Sequence, residues 1–429
     1  MTLRWFADMS RVAMILAATS LIAGCASTAH GAVVQADQPR QTSDAQPAEI
    51  DKQVDGNSAF AIDLYHALRQ DGEGNLFYSP YSISIALAMT YAGARAETES
   101  EMAATLHYQL PQEKLHPVFN ALDTALTSQR AGEGEDAFQL NIANAIWGQE
   151  GFKFLPTFLD TLAENYGAGL RTVDFAQAEA ARQTINGWVG KQTKGKIEDL
   201  IPKGYLDSLV RLVLTNAIYF NGKWVLPFEK DSTHDSAFTR LDGSEVTVPM
   251  MSQTAGFDYA AGDGYQAIEL PYRDSNMAML FVLPEVGHFE EIEAAFSAGS
   301  VDAIVEDLSA QQVHLTLPKF TYESEFDLST TLGQMGMPSA FRPPGPGGAD
   351  FSGMTGQSDL YISAVLHKAY VAVDEEGTEA AAATAVIMKL TSAMPEPLVQ
   401  MTLDRPFLFL IRDRDNDTIL FVGRVLDPS

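Results

Sequence analysis

The sequence predicts an α+β domain. Strand-like stretches with apolar alternation or short apolar runs recur through it: LNIANAIWG, LVLTNAIYF, YQAIELPY, MAMLFVLP, VHLTLPKF, LYISAVLHKAYVAV, PFLFLIRD and TILFVGRVL. Helical stretches such as AARQTINGWVGKQT and FEEIEAAFSA lie among them without a regular βαβ alternation, which argues against a doubly wound sheet. From Ala59 onward the pattern stays globular, with no second linker, repeat or transmembrane run. The 429 residues, 46% of them hydrophobic, suffice for one large core.

At the N-terminus, Arg4 and Arg11 precede the apolar run VAMILAATSLIAGC, which is too short to span a membrane comfortably. Its end, Leu21 to Cys25, resembles the bacterial lipoprotein cleavage box. On that resemblance residues 1–24 are a lipoprotein signal peptide, and Cys25 carries a lipid that tethers the chain to a membrane. The alternative is an ordinary secretory signal cleaved near Ala29 or Ala32. Cys25 is the only cysteine, so the mature chain has no internal disulfide and its domain no cysteine nucleophile. Ala26 stands where an Asp commonly retains lipoproteins at the inner membrane. An exported lipoprotein at the outer membrane or cell surface is therefore expected. The polar residues 25–58 read as a flexible tether, with the folded domain spanning 59–429.

Within that domain FAIDLYHALRQ is an amphipathic helix. In NLFYSPYSISIALAMTYAGA, Ser79 is a good N-cap, Pro80 suits the first helical position and Gly93 is placed to stop the helix. That helix is apolar nearly all round, so burial is expected on all sides, with Ser82 a buried hydroxyl needing a partner. Further helices are expected over Glu97–Leu106 and Pro117–Ser128. The loop PPGPGGADFSGMTG (343–356) lacks the ending of a phosphate-binding loop and is assigned a structural role.

The formal charge of −28, from 28 basic and 56 acidic residues, opposes binding of nucleic acid or anionic lipid through electrostatics. The eight histidines are scattered with no HExxH-like spacing, so no metal site is implied. GxSxG is absent, and no local arrangement nominates a catalytic triad.

The segment EEGTEAAAATAVIMKLTSAM (375–394) has helical propensity but strand patterning. As a strand, one face carries Thr378, Ala380, Ala382, Thr384, Val386, Met388 and Leu390, without a charge. The other carries Glu379, Ala381, Ala383, Ala385, Ile387, Lys389 and Thr391. Gly377 allows the backbone freedom of a hinge. Such a run could be a loop in one state and a half-buried strand in another.

These residues carry a resemblance. EEGTEAAAATAV is similar to the hinge of the serpins, a large family of conformationally switching serine protease inhibitors. INGWVGKQTKGKIEDLI, LTNAIYFNGKWVLPF, LPKF, ADFSGMTG and DRPFLFLIRD…TILFVGRVLDP follow in family order, over about residues 55–429. The resemblance implies three β-sheets, about nine helices and an exposed reactive-site loop at about 375–398. It implies no enzyme activity, no cofactor and a monomer whose partner is a target serine protease. The protease would attack the loop as bait, form an acyl ester, and be trapped as the cleaved loop inserts into the central sheet. Hinge spacing places the reactive bond at Thr391–Ser392, suiting elastase-like pockets. Leu390 and Lys389 are alternative reactive residues, for chymotrypsin- and trypsin-like enzymes, and a subtilisin-like target is a further option. The hinge comprises Glu375, Glu376, Gly377, Thr378, Glu379, Ala380, Ala381, Ala382, Ala383 and Thr384, with Thr378 expected largely in solvent before cleavage. Ser79, Ser82, Asn216 and His367 match the family's hydrogen-bonded cluster beneath the central sheet, and Trp224 the aromatic at its opening end. EKLHPVFNALDTALTSQR is not basic, so heparin activation is not expected. The alternative is a non-inhibitory member acting as a binding or chaperone module.

Overall fold

We describe residues 31–36, 38–70, 72, 74–128, 138–378 and 398–429 of a computed structural model. They form sixteen strands and ten α-helices. In chain order these are β1 (Ala32–Val34), α1 (Pro47–Leu68), β2 (Leu76–Tyr78), α2 (Pro80–Tyr91), α3 (Ala96–Thr105), α4 (Gln112–Ser128), β3 (Gln139–Gln149), α5 (Pro156–Tyr166), β4 (Leu170–Val173), α6 (Ala178–Gln192), β5 (Leu212–Lys223), β6 (His234–Thr239), β7 (Glu245–Gly262), β8 (Tyr265–Pro271) and β9 (Met277–Pro284). The rest are α7 (Phe289–Ala295), α8 (Ala298–Asp307), β10 (Ser309–Pro318), β11 (Phe320–Asp327), α9 (Ser329–Met335), α10 (Ser352–Thr355), β12 (Ala364–Val373), β13 (Gly377–Thr378), β14 (Val399–Thr402), β15 (Phe407–Asp413) and β16 (Ile419–Val425). The α+β expectation holds.

Among the described residues the strands make two hydrogen-bonded sheets. One has seven strands in the order β1-β4-β3-β5-β13-β12-β11. The other has nine, in the order β14-β10-β7-β8-β9-β15-β16-β2, with β6 paired to β7. The second and third sheets expected from the sequence are joined through β7. Its 18 residues pair first with β6 and then with β10 and β8.

At β5 and the first half of β12 the seven-stranded sheet is buried on both faces. On one face Leu214, Ile218, Val365, Ala369, Val371 and Val373 join the main core with α1, α2 and the nine-stranded sheet. On the other, Val213, Ala217, Ala364 and Leu366 pack under α6 with Trp147, Ile185, Trp188 and Val189. This two-sided burial is why β5 and β12 read as near-continuous apolar runs. α2 is buried along its whole length, and Ser79 caps it by accepting from Ser82 N at 3.2 Å. Gly93 does not stop that helix by a left-handed turn. It lies against Met354, whose Cγ would sit 2.2 Å from an added Cβ. The helix expected from Pro117 starts earlier, at Gln112, and carries Pro117 inside it.

The domain boundary requires correction, because the expected tether to Ser58 is largely folded. α1 begins at Pro47, where the Glu49 carboxylate accepts from Gln46 N at 3.1 Å. Polar residues hid this turn of helix, since Gln53, Asn57 and Ser58 are buried, and both Gln53 Nε2 and Ser84 Oγ of α2 donate to Asn57 Oδ1, at 3.1 Å each. Upstream, β1 adds an antiparallel edge to β4. Arg40 then clamps α4, pairing with Asp123 at 2.6 Å and donating to Asn120 Oδ1 at 2.8 Å, while Gln41 N donates to Glu164 O of α5 at 2.9 Å. Residues 1–24, expected to be a signal peptide, and Cys25 lie outside the described residues.

The strap formed by residues 31–46 constrains Gly169. An added Cβ there would lie 2.9 Å from Gln35 Cβ, Val33 Cγ1 and Val34 O. Gly169→Val should therefore displace the strap at a cost of about 1–3 kcal/mol. Urea unfolding would register the loss, and limited proteolysis with mass mapping should find new cuts within 31–46; an unchanged digest and midpoint would refute this role for the strap.

Candidate functional site

The site is built on the seam between β5 and β12. These parallel strands pair from Val213↔Ala364 to Tyr219↔Tyr370, and above that point they part. The opening is filled by β13, which runs antiparallel to both neighbours: Thr378 sits opposite Gly222 on one side and Val373 on the other. The expectation that Thr378 is largely in solvent is thereby corrected. It is 1% exposed, and its hydroxyl lies 2.6 Å from Tyr272 Oη.

Why the chain seats here follows from the residues around it. At Gly377 (φ 157°) an added Cβ would lie 2.1 Å from Gly222 O and 2.7 Å from Lys223 Cα, so only glycine fits against β5. Asp374 makes the turn: its Oδ1 accepts from Glu376 N at 2.8 Å and Gly377 N at 3.2 Å. Trp224 N donates to Glu376 O at 2.9 Å, Phe228 N to Glu375 O at 2.8 Å, and Trp224 Nε1 to Asp374 O at 3.1 Å. Trp224 stacks on Tyr272 with centroids 4.6 Å apart.

Two ion pairs fasten the same turn. Glu375 meets Lys319 at 2.7 Å and accepts from Thr233 Oγ1 at 2.8 Å, and Glu376 meets Lys230 at 2.8 Å. Burial raises the affinity of the Glu375 carboxyl for its proton, but Lys319, backbone and Thr233 bonds more than offset that and hold it below its ordinary range. Burial raises Asp374, and the Glu376 carboxylate raises Lys230.

Lower on the seam lies the polar cluster. Ser79, Ser82, Asn216 and His367 are all fully buried. His367 Nε2 accepts from Ser79 N at 3.2 Å, and its Nδ1 donates to Asn216 Oδ1, directly across the β5–β12 register. Asn216 Nδ2 donates to Ser82 Oγ at 2.6 Å and to Asn144 Oδ1 of β3. Ser79 Oγ donates to Leu420 O at 2.7 Å. His367 stacks on Phe326. With one ring nitrogen donating and the other accepting, the ring is neutral, and burial brings its pKa from 6.5 down to about 3.

The structure thus brings Ser79, Ser82, Asn216 and His367 together, and sets Trp224 apart from them with Glu375, Glu376, Gly377 and Thr378. The sequence reading missed Asn144, whose signal is a polar residue within the apolar strand LNIANAIWG. It also missed Tyr272, Thr233, Lys230 and Lys319, which come from distant segments and leave no local signal. Glu379, Ala380, Ala381, Ala382, Ala383, Thr384, Lys389, Leu390, Thr391 and Ser392 lie outside the described residues. Among the described residues no group of three His, Cys, Asp or Glu is placed to hold a metal ion.

The defining feature of this sheet is that its middle strands, β5 and β12, diverge at one end around the short strand β13. Residues 55–428 match the family Serpin (serine protease inhibitor), and the chain belongs to that family. It is 39% identical to the leukocyte elastase inhibitor of Xenopus tropicalis over 86% of this chain and 97% of that protein. Among solved structures, a thermophilic serpin, tengpin, in the native state superposes with a TM-score of 0.81 at 29% identity, covering 93% of this chain and all of that one. Human thyroxine-binding globulin complexed with thyroxine gives 0.79 at 33% identity, covering 89% and 100%. The family resemblance read from the sequence is correct.

His367 sets a pH dependence. Its folded-state pKa lies below the unfolded value, so the unfolded chain binds the extra proton, and stability present above pH 6.5 is lost as pH falls towards about 3. The slope should be about 1.4 kcal/mol per pH unit for this group. Glu375, with its lowered pKa, works in the same direction at the acid end. Urea midpoints between pH 7 and pH 4 should show the decline, and His367→Phe should be less stable at pH 7 but with a shallower slope. Parallel pH profiles for the two proteins would contradict the assignment.

Proposed function

We propose that the chain is a single-use inhibitor of serine proteases, with 375–398 as its reactive loop and Thr391–Ser392 as the bond presented to the target. The observation that carries this reading is β13. Continuing the register of β13 on β5 and on β12 gives the same answer from both sides: residue 381 would fall between Tyr219 and Tyr370, and residue 384 between Asn216 and His367. The residues of that run facing the main core would be Thr378, Ala380, Ala382, Thr384 and Val386, all small enough to enter and none charged.

The chemistry follows the family pattern. The protease serine oxygen attacks the carbonyl carbon of Thr391, the bond to Ser392 nitrogen breaks, and the amine leaves with a proton. The ester-bound segment then adds as a strand. Roughly 14 residues at about 3.3 Å each would carry the tethered protease on the order of 45 Å. Deacylation stalls, and the inhibitor is consumed. The relatives named as leukocyte elastase inhibitors favour an elastase-like target, in keeping with a small residue at 391; Leu390 and Lys389 are the alternative reactive residues. The likeness to thyroxine-binding globulin supports the second reading, a binding module without inhibition.

Incubation with a panel of serine proteases, read on a denaturing gel, separates the two readings. Inhibition requires a covalent complex with at least one elastase-, chymotrypsin- or subtilisin-like enzyme, and its absence throughout would favour the binding module. Intact-mass analysis should place the cut after Thr391, and Thr391→Arg should redirect complex formation to trypsin-like enzymes. Thr384→Arg should leave cleavage intact but reduce complex at least about tenfold, because an unpaired buried charge costs several kcal/mol; trapping as efficient as wild type would exclude insertion past Asn216 and His367.

The anchor is proposed separately. A lipid on Cys25 would hold the inhibitor at an outer membrane or cell surface, as an exported lipoprotein acting as a monomer. Cys25→Ser should abolish acyl labelling in the native host, whereas equal labelling of the variant would dismiss the lipid.

A further inference from the structure

The turn that follows α6 crosses the β5–β12 seam on the face opposite the polar cluster. It is rigidly held. Thr193 Oγ1 donates to Val189 O at 3.0 Å and accepts from Ile197 N at 3.2 Å, and both Thr193 and Ile197 are fully buried. Further on, Asn186 Nδ2 donates to Ile201 O and its Oδ1 accepts from Ile201 N, each at 2.9 Å. Between these anchors the backbone passes through Lys194 at φ 54° and Gly195 at φ 77°, which throws the neighbouring side chains onto the sheet.

Two ammonium groups result, spread over three strands. Lys194 Nζ donates to Gln139 Oε1 of β3. Lys196 Nζ stands 6.0 Å from the ring centroid of Tyr219 on β5 and 6.0 Å from that of Tyr370 on β12. Those tyrosines are register partners, and theirs is the last pair before the strands part around β13. Tyr219 is steadied by Asn221 Nδ2, which donates to its hydroxyl at 3.2 Å.

We propose that Lys196 is a clasp on the seam, a positioning residue that sets how readily β5 and β12 separate beyond the seated hinge. Its attraction to both rings at once belongs to the closed state of the sheet. Admitting a strand would move β5 and β12 from about 4.8 Å to about 9.6 Å apart. Unless it sank towards the sheet, where residue 381 of the incoming strand would lie, one ammonium could not then stay within about 6 Å of both ring centres. A contact made in the closed state and halved in the open one shifts the equilibrium towards closure. The clasp itself rests on the closed sheet alone; its consequence for inhibition rests on the function proposed above.

Hydrogen–deuterium exchange on the full chain, resolved by mass spectrometry for peptides within 212–223 and 364–373, tests the clasp without a protease. Lys196→Met keeps the aliphatic stem and removes the charge; exchange around Tyr219 and Tyr370 should quicken about 3- to 10-fold. Lys196→Arg should restore the wild-type rate. Lys194→Met, which loosens only the bond to β3, should leave the β12 peptide unchanged. Equal exchange in wild type and Lys196→Met, or an arginine variant as fast as the methionine one, overturns the clasp. In a parallel protease assay Lys196→Met should raise the fraction of cleaved inhibitor recovered as covalent complex. Failure of every variant and of wild type to form complex would count against the inhibitory reading, with the exchange result still deciding the clasp.

Discussion

The backbone of Gly377 lies so close to that of Gly222 that no side chain fits between them, and the upper half of the molecule is organised around this approach. It lets two residues of chain lie between β5 and β12 as a strand, so the edges of both are paired where they diverge. Unpaired backbone groups at that divergence would be buried and costly. The surrounding contacts all serve to keep the chain there: Trp224 N and Phe228 N bond the carbonyls of Glu376 and Glu375, Lys230 and Lys319 neutralise the carboxylates, and Tyr272 closes on Thr378. The sheet is thus parted around β13 at one end and closed along the paired positions below it.

The fold was legible wherever the burial of an element matches its own period. α2 is apolar all round and is buried all round. β5 and β12 read as continuous apolar runs because a helix layer covers each face of their sheet. Legibility failed where polar residues are buried and bonded to one another. Gln53 and Asn57 belong to a buried helical turn, yet their composition reads as a tether. The strap at Ala32–Val34 is held by backbone pairing to β4 and by Arg40, neither of which imprints a hydrophobic pattern on the sequence.

The candidate site divides along the same line. Ser79, Ser82, Asn216 and His367 were nominated by family resemblance and do converge on one hydrogen-bonded cluster. The burial of Thr378 before any cleavage was not foreseen, because alternation tells which face a residue will take and not when the strand forms. Tyr272 on Thr378, Lys319 on Glu375 and Lys230 on Glu376 come from 106, 56 and 146 residues away in the chain. Long-range pairing of that kind is a property of topology, and a single sequence does not display it.

Beyond its backbone ladder the seam is bridged by different side chains on its two faces, and this bears on the hydroxyl in the alanine run. On the α6 face the closure is a diffuse attraction of Lys196 to two rings, which can be given up gradually. On the core face it is a single bond from His367 to Asn216 across paired positions, with both residues fully buried. A strand admitted between them would break that bond outright and orphan a donor and an acceptor, at about 1–3 kcal/mol for each. An alanine at the crossing position could satisfy neither group. A threonine hydroxyl can donate and accept at once. Continued past Thr378, the same register would put residue 384 at this crossing on the core face of an admitted strand, and residue 384 is the threonine within AAAATAV. The side-chain bond that bridges the seam would thereby be exchanged for two to the incoming strand, so the polar cluster would add to the resistance of the backbone ladder without forbidding insertion.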